Sequence, residues 1–417
     1  MALSPVDALQ AESLTDLVRP LLKSHNLIKA SQSDLKAAEE RVKETRGGWY
    51  PTATVTTHYG KERQNKPTAT DDTNLVTRQA DISVNQLVWD FGATNSRIKA
   101  SKLTAKASDF TVESTIQDLI LRASVAFLNV DRSARVLTFA RESEANIKRQ
   151  TELEDALVRK GAGLSSDVLQ AKATLSGAQA RRVQAEGALA VARNAYRAVF
   201  HTDSANLSSL EKPIIPEQLI PPTVDEAIQT ALRTNPKLRA ADMGAAVAVE
   251  TINSTKAAAF YPKFDIVAST TYKHNAGGTI GHQEEGLAKL QMSFPFNLGL
   301  TSINTLKASK SDAASANSRV GETRDLIEQL VRDSWSNLAT AKATHQFLAN
   351  QASISAEFLE LARKERKLGN RSLLDVLNGE TALINANSDA TSARTDVVIA
   401  TITLLNAMGR LELKAIQ

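Results

Sequence analysis

Cysteine is absent from the 417-residue chain, which excludes a disulfide framework, a thiolate metal site and a cysteine nucleophile. The absence is compatible with an oxidising compartment such as the periplasm. No run of about 18 apolar residues occurs, so no transmembrane helix is expected, and any crossing of a bilayer falls to strands. A dominant charge sign is missing too. Lys and Arg total 50 against 46 Asp and Glu, a formal +4, and the signs are interspersed, as on a solvated surface and unlike a nucleic-acid footprint. The N-terminal Met1-Ala2-Leu3-Ser4-Pro5 lacks the basic and long apolar regions of a secretory signal. It reads as either a cytosolic chain or a mature form behind an added Met, and the strands described below favour the second.

Catalytic signatures are also lacking. His25, His58, His201, His274, His282 and His345 are scattered and form no HExxH pair. Gly161-Ala162-Gly163 has neither the third glycine nor the preceding strand of a dinucleotide loop, and no GxxxxGK[ST] or GxSxG motif occurs. No enzyme, metal or cofactor is expected.

Helix breakers are rare in two long spans. From Ala93 to Lys160 there is neither Gly nor Pro, while Ile116, Leu119, Ile120, Ala123, Ala126, Phe127 and Val130 recur at the spacing of one helical face. A continuous helix there would approach roughly 100 Å. From Leu300 to Leu368 the only breaker is Gly321, with Ile327, Leu330, Ser334, Leu338 and Ala341 expected on one face. Each span ends in a short Gly-containing turn, Lys160 to Asp167 and Leu368 to Asp375, and a helical pattern then resumes. Both turns read as tips of antiparallel helical hairpins, with Ser165 or Ser166 and Ser372 as N-caps of the returning helices.

The halves match each other. Trp49-Tyr50-Pro51 corresponds to Phe260-Tyr261-Pro262, Asp167-Val168-Leu169 to Asp375-Val376-Leu377, Gly92 to Gly299 and Phe200 to Met408, all at offsets of 207 to 211, which indicates a duplicated unit. The expected organisation is a first repeat over 1–212, a proline-rich linker over 213–222 and a second repeat over 223–417. The first repeat carries strands 51–59 and 78–89, a long helix over 92–160, a tip at 161–166 and a helix over 167–205. The second carries strands 262–273 and 286–296, a long helix over 299–368, a tip at 369–372 and a helix over 373–412.

Each strand has about the length a tilted transmembrane strand needs. Ile82, Val84 and Val88 share one face and Asp81, Ser83 and Asn85 the other; Ala288, Leu290, Met292 and Phe294 likewise oppose Lys289, Gln291 and Ser293. Aromatics fall near strand ends, with Tyr59, Trp89, Tyr272 and Phe294 as candidate membrane-interface residues. Strand-end aromatics are common in any sheet, but the polar segments 61–74 and 274–285 between the strands favour outer-membrane loops. Four strands cannot close a barrel, and an open edge is not tolerated in lipid, so several chains must share one.

The duplicated unit, the two helix-to-strand junctions and the tips Gly161 to Ala171 and Gly369 to Leu377 together resemble TolC-type outer-membrane efflux and secretion proteins over nearly the whole chain. The resemblance implies a mainly α fold with a β-barrel part: a homotrimer with four strands per protomer in a shared twelve-stranded barrel of the Gram-negative outer membrane, continued by an α-helical periplasmic tunnel. It implies docking of a periplasmic adaptor (membrane fusion protein) and an inner-membrane ABC or RND transporter at the tips, for which Gly161, Gly163, Leu164, Gly369, Asn370 and Ser372 are candidates. It implies a tip held closed by polar contacts of Ser166, Asp167, Arg366 and Arg371, and an acidic ring at Asp375. Two positions depart from the family pattern. Arg366 stands where a tyrosine is usual, so an Asp167 to Arg366 salt bridge is expected, and Asn378 replaces a second acidic ring, so the constriction of Asp375 and Asn378 carries about half the negative charge. The expected role is the passive exit duct of an export system, protein secretion of type I ahead of small-molecule efflux. A soluble coiled-coil tether or an adaptor protein would not need duplicated amphipathic strands.

Overall fold

The computed structural model describes residues 14–65, 72–161, 164–202, 219–296 and 298–416. The proposed contact Gly163, with Pro213 and Pro216 of the linker, lies outside the described residues. The chain divides into two compact units. One comprises residues 31–112 and 237–323 and contains the sheet; the other comprises residues 1–30, 113–236 and 324–417 and, among the described residues, is helical.

After α1 (Leu14–Ser24), α2 (Asn26–Arg46), most of which belongs to the sheet-bearing unit, leads through a 3-10 turn (Gly47–Trp49) into β1 (Thr52–Gln64) and β2 (Thr73–Trp89). In the second half α6 (Pro236–Phe260) leads into β3 (Lys263–His274) and β4 (His282–Ser293). The four strands form one antiparallel sheet in the order β1-β2-β3-β4. β1 and β2 extend beyond 51–59 and 78–89 because the backbone ladder pairs Gly60 to Gln64 with Thr73 to Thr77 whatever the polarity of the side chains. β4 begins at His282, so the last four residues of the second expected loop are strand, and it ends at Ser293, leaving Phe294 and Phe296 just beyond it.

Register decides the faces. Val55, Ile82, Thr270 and Gly286 form one transverse row, and Ala53, Val84, Ala268 and Ala288 the next, with Ile266 and Leu290 paired beyond. Val55, Ile82, Ile266, Leu290 and Met292 are 66%, 42%, 49%, 68% and 63% exposed, an apolar face left uncovered by the described residues. The opposite face is polar. There Asp81 accepts hydrogen bonds from the Gln79 amide (2.8 and 2.9 Å) and the Thr271 hydroxyl (2.8 Å), and Lys273 pairs with Glu285 at 2.8 Å. Strand becomes helix at Asp90, whose carboxylate accepts from the Gly92 and Thr94 backbone N–H groups at 3.2 and 2.7 Å. Gly92 is at φ 90°, a turn that a side chain would strain.

α3 (Ala93–Arg159) and α7 (Thr301–Lys367) are both 67 residues long, the uninterrupted paths that the scarcity of Gly and Pro dictates. In the helical unit the face expected on α3 is buried at Leu119, Ile120, Ala123, Ala126, Phe127 and Val130. On α7 the buried stripe is Ile327, Val331, Ser334 and Leu338, whereas Leu330 is 46% exposed. Leu330 therefore leaves the face expected for it. Both positions fit helical spacing from Ile327, three residues on for Leu330 and four for Val331, and the buried stripe takes the second.

The end of α8 (Leu373–Ala407) is tied down tightly within the helical unit. Thr234 and Asn235, at the end of α5 (Val224–Thr234), donate to the Met408 and Ala407 carbonyls at 2.8 and 2.9 Å, and Gln117 donates to the Gly409 carbonyl at 3.2 Å. Gly409 has φ 69°, and a Cβ there would meet the Asn235 Cα at 2.6 Å.

Candidate functional site at the helical tips

Both tips lie in the helical unit. At the first, α3 ends at Arg159, Gly161 turns the chain with φ 74°, and α4 (Ser165–Phe200) begins after Leu164. The N-cap is Leu164, in an extended conformation without a side-chain hydrogen bond. Ser165 and Ser166 are already helical, so neither is the cap expected of them. At the second tip, Gly369 has φ 81°, its N–H donates to the Arg366 carbonyl and the Asn370 N–H donates to the Glu365 carbonyl, both at 3.0 Å. These paired bonds are a Schellman motif, which closes the C-terminus of α7 on its own carbonyls. Ser372 then caps α8, its hydroxyl accepting from the Asp375 N–H at 3.2 Å.

Packing joins the hairpins. Ile147 of α3, Ala171 and Ala178 of α4 and Leu373 and Leu377 of α8 form one buried cluster, and Leu359 and Ala362 of α7 with Val376 form another. Two carboxylates share this apolar setting. The Glu154 side chain is 4% exposed and accepts from Arg366 at 2.7 Å, linking α3 to α7. The Glu380 side chain is 3% exposed, pairs with Arg363 and accepts from the Asn146 amide at 3.4 Å. Removing either arginine would leave a buried carboxylate unpaired. For Glu154 that costs about 2 kcal/mol, the lower part of the usual range because the Arg366 side chain is 32% exposed.

Arg366 thus takes Glu154, not Asp167, and also donates to the Arg371 carbonyl at 3.3 Å. The expected Asp167 to Arg366 salt bridge does not form, because the nearer and more buried carboxylate wins the guanidinium. Asp167 is met by its neighbour Ser166 at 3.5 Å. Arg371 pairs with Glu365 at 2.6 Å and stacks over Phe358, 5.2 Å from the ring centre. The carboxylate of Asp375 makes no hydrogen bond or ion pair with another described residue, and Asn378, one turn on, is exposed. The tip ends present apolar surface: Leu164, Leu169, Leu368 and Leu374 are all exposed, Leu368 to 76%.

Glu154, Arg363, Glu365 and Glu380 were not singled out from the sequence, although a signal existed. Ile147, Thr151 and Glu154 continue one buried stripe, as do Val376, Leu377, Glu380 and Ile384; an acid on such a stripe calls for a cation on the facing helix.

A family model described as "Outer membrane efflux protein" matches residues 17–200 and 227–410. The chain belongs to the outer membrane efflux protein family. It is similar to the outer membrane efflux protein BepC of Brucella suis, 25% identical over 96% of this chain and 86% of that protein. It is also similar to the alkaline protease secretion protein AprF of Pseudomonas aeruginosa, 26% identical over 76% of this chain and 67% of that protein. Among solved structures the outer-membrane channel OprN superposes with a TM-score of 0.84 at 19% identity, covering 96% of this chain and 90% of that one. The family matches twice, at positions offset by 210 residues, and the fold is that of an outer-membrane channel: long helices with one four-stranded antiparallel sheet.

Proposed function

We propose that three copies of the chain pool their sheets into one twelve-stranded barrel in the outer membrane and that the assembly is the passive, tip-gated exit duct of an export system. The observation that carries this reading is the four-stranded sheet, apolar and uncovered on one face, polar on the other, with β1 and β4 unpaired at its edges. Such edges in lipid need partners of the same kind, and closure by copies of the chain supplies them. The apolar rows from Met292 to Glu284 run about 27 Å along the strand, or about 20 Å once tilted, close to the band a barrel presents to lipid.

At the tips the exposed leucines and the polar turns Gly161, Leu164, Gly369, Asn370 and Ser372 are the docking surface for a periplasmic adaptor and its inner-membrane transporter. Arg366, through Glu154, and Arg371 hold the tip closed, and Asp375 rings the constriction beside Asn378. Type I protein secretion is the favoured cargo class, supported by the likeness to the alkaline protease secretion protein AprF; the likeness to the efflux protein BepC supports small molecules as the second reading. Chemical cross-linking of the detergent-purified protein tests the assembly: a trimer is expected, and a chain that stays monomeric and water-soluble without detergent overturns it. Deleting the gene and comparing secreted proteins with drug susceptibility separates the two cargo classes.

A further inference from the structure

The outward, apolar face of the sheet ends in a basic row. Tyr59, Arg78, His274 and His282 pair directly across all four strands and so lie side by side on that face, two residues beyond the row of Thr57, Ala80, Tyr272 and Glu284. Lys61 and Arg63 continue the same face of β1 towards the loop. Every Lys and Arg on this face of the strands falls at its loop end, and Glu284 is the only acid among the described strand residues there. The other acids of the strands, Glu62, Asp81, Asp265 and Glu285, alternate onto the opposite face. On that opposite face Lys263 and Lys273 pair with Asp265 and Glu285, whereas the outward cations have almost no acid beside them.

The row is shaped as well as charged. Between the two outward rows lies an open hollow of 860 Å³ whose lining includes Tyr59, Arg78, Tyr272, His274 and His282, with Glu284 as its one acid. The Arg78 guanidinium lies over the Tyr59 ring at 5.6 Å, which holds it on the surface, and the His274 and His282 rings lie 4.4 Å apart, tilted by 38°. Lys61, Arg63 and Arg78 form no ion pair with another described residue.

We infer that this hollow, with the cations around it, binds the phosphorylated headgroup of a glycolipid in the outer leaflet of the membrane. The inference rests on the barrel reading above. A guanidinium and imidazole N–H groups suit phosphate oxygens, which accept several donors at once. Tyrosine rings at the polar edge of an apolar band suit a sugar face above acyl chains. Continuity with the lipid-facing surface selects the occupant: an anion bound here is one whose tail can lie along Val55, Ile82 and Leu290, which a free phosphate lacks.

The test uses the full-length protein, delipidated in detergent and offered lipid A or its dephosphorylated form, with retention read by native mass spectrometry. The wild type is expected to retain the phosphorylated lipid about tenfold better, and R78Q with K61Q to lose most of that preference. Equal retention of the two lipids, or an unaltered preference in the variant, overturns the inference. Displacement of the lipid by millimolar inorganic phosphate overturns it in favour of a simple anion site. Insertion of both proteins into phosphatidylcholine vesicles is measured in parallel. A protein that inserts but shows no preference sinks only this inference; one that fails to insert sinks the barrel reading.

Discussion

His25 is the residue with the clearest dependence on pH. It is 8% exposed, its Nδ1 accepts from the Leu27 N–H at 3.1 Å, and its ring stacks on His201 at 5.8 Å. Burial holds its pKa below the ordinary histidine value, and the neighbouring His201 and Arg122 charges add to that. The native state therefore binds fewer protons here than the unfolded chain, so stability rises with pH through the window between the lowered value and about 6.5. The contribution is complete above that window and lost as pH falls through it. The thermal midpoint of the purified protein is expected to drop from pH 7 to pH 5, and His25→Asn to flatten that slope. Asparagine is the informative replacement because Asn235 stands at the matching position of the second half and hydrogen-bonds well there. A slope unchanged in the variant would assign the acid sensitivity elsewhere.

Elements were legible where one backbone property decides them. Glycine and proline absence marked α3 and α7, and alternation marked the strands and their apolar face, because both signals are local. What escaped depends on a facing element. Leu330 and Val331 differ by one position, and burial at Val331 is a property of the packed fold that spacing alone leaves open. Leu164 caps α4 although two serines follow it, because the turn sets its extended backbone. Arg366 chose Glu154 over Asp167 through α3 packing that no spacing within α7 encodes. Glycines divide the same way. Gly369 and Gly409 both have positive φ, but a Cβ at Gly369 meets nothing within 4 Å whereas one at Gly409 strikes the Asn235 backbone. Gly369→Ala is expected to cost about 1 kcal/mol from backbone strain alone. Gly409→Ala should cost about 3 kcal/mol or more, since α5 must move and its bonds to Ala407 and Met408 with it. Chemical unfolding of the two variants checks the ranking, and equal losses would show that the α5 to α8 junction yields.

In the proposed three-fold assembly the ion pairs of the tip would act as its gate. Arg366 ties α7 to α3 through a carboxylate almost out of water, whereas Arg371 ties only residues of its own tip, to Glu365 and over Phe358. In a three-fold assembly each such contact occurs three times, so opening must break all copies of the first kind, which is a cooperative barrier. Substituting Arg366→Ser and Arg371→Ser together removes both anchors of the second tip. In planar bilayers the double variant is expected to conduct severalfold better than the parent, most of the gain coming from Arg366→Ser; a variant that conducts no better refutes the lock. Selectivity reports on the ring independently. Three Asp375 carboxylates converging on an axis favour cations, and with Asn378 neutral the preference is modest. Asp375→Asn should therefore abolish it while leaving the conductance gain of the arginine variants in place, because charge at the bore and contacts between helices are separate determinants of the current.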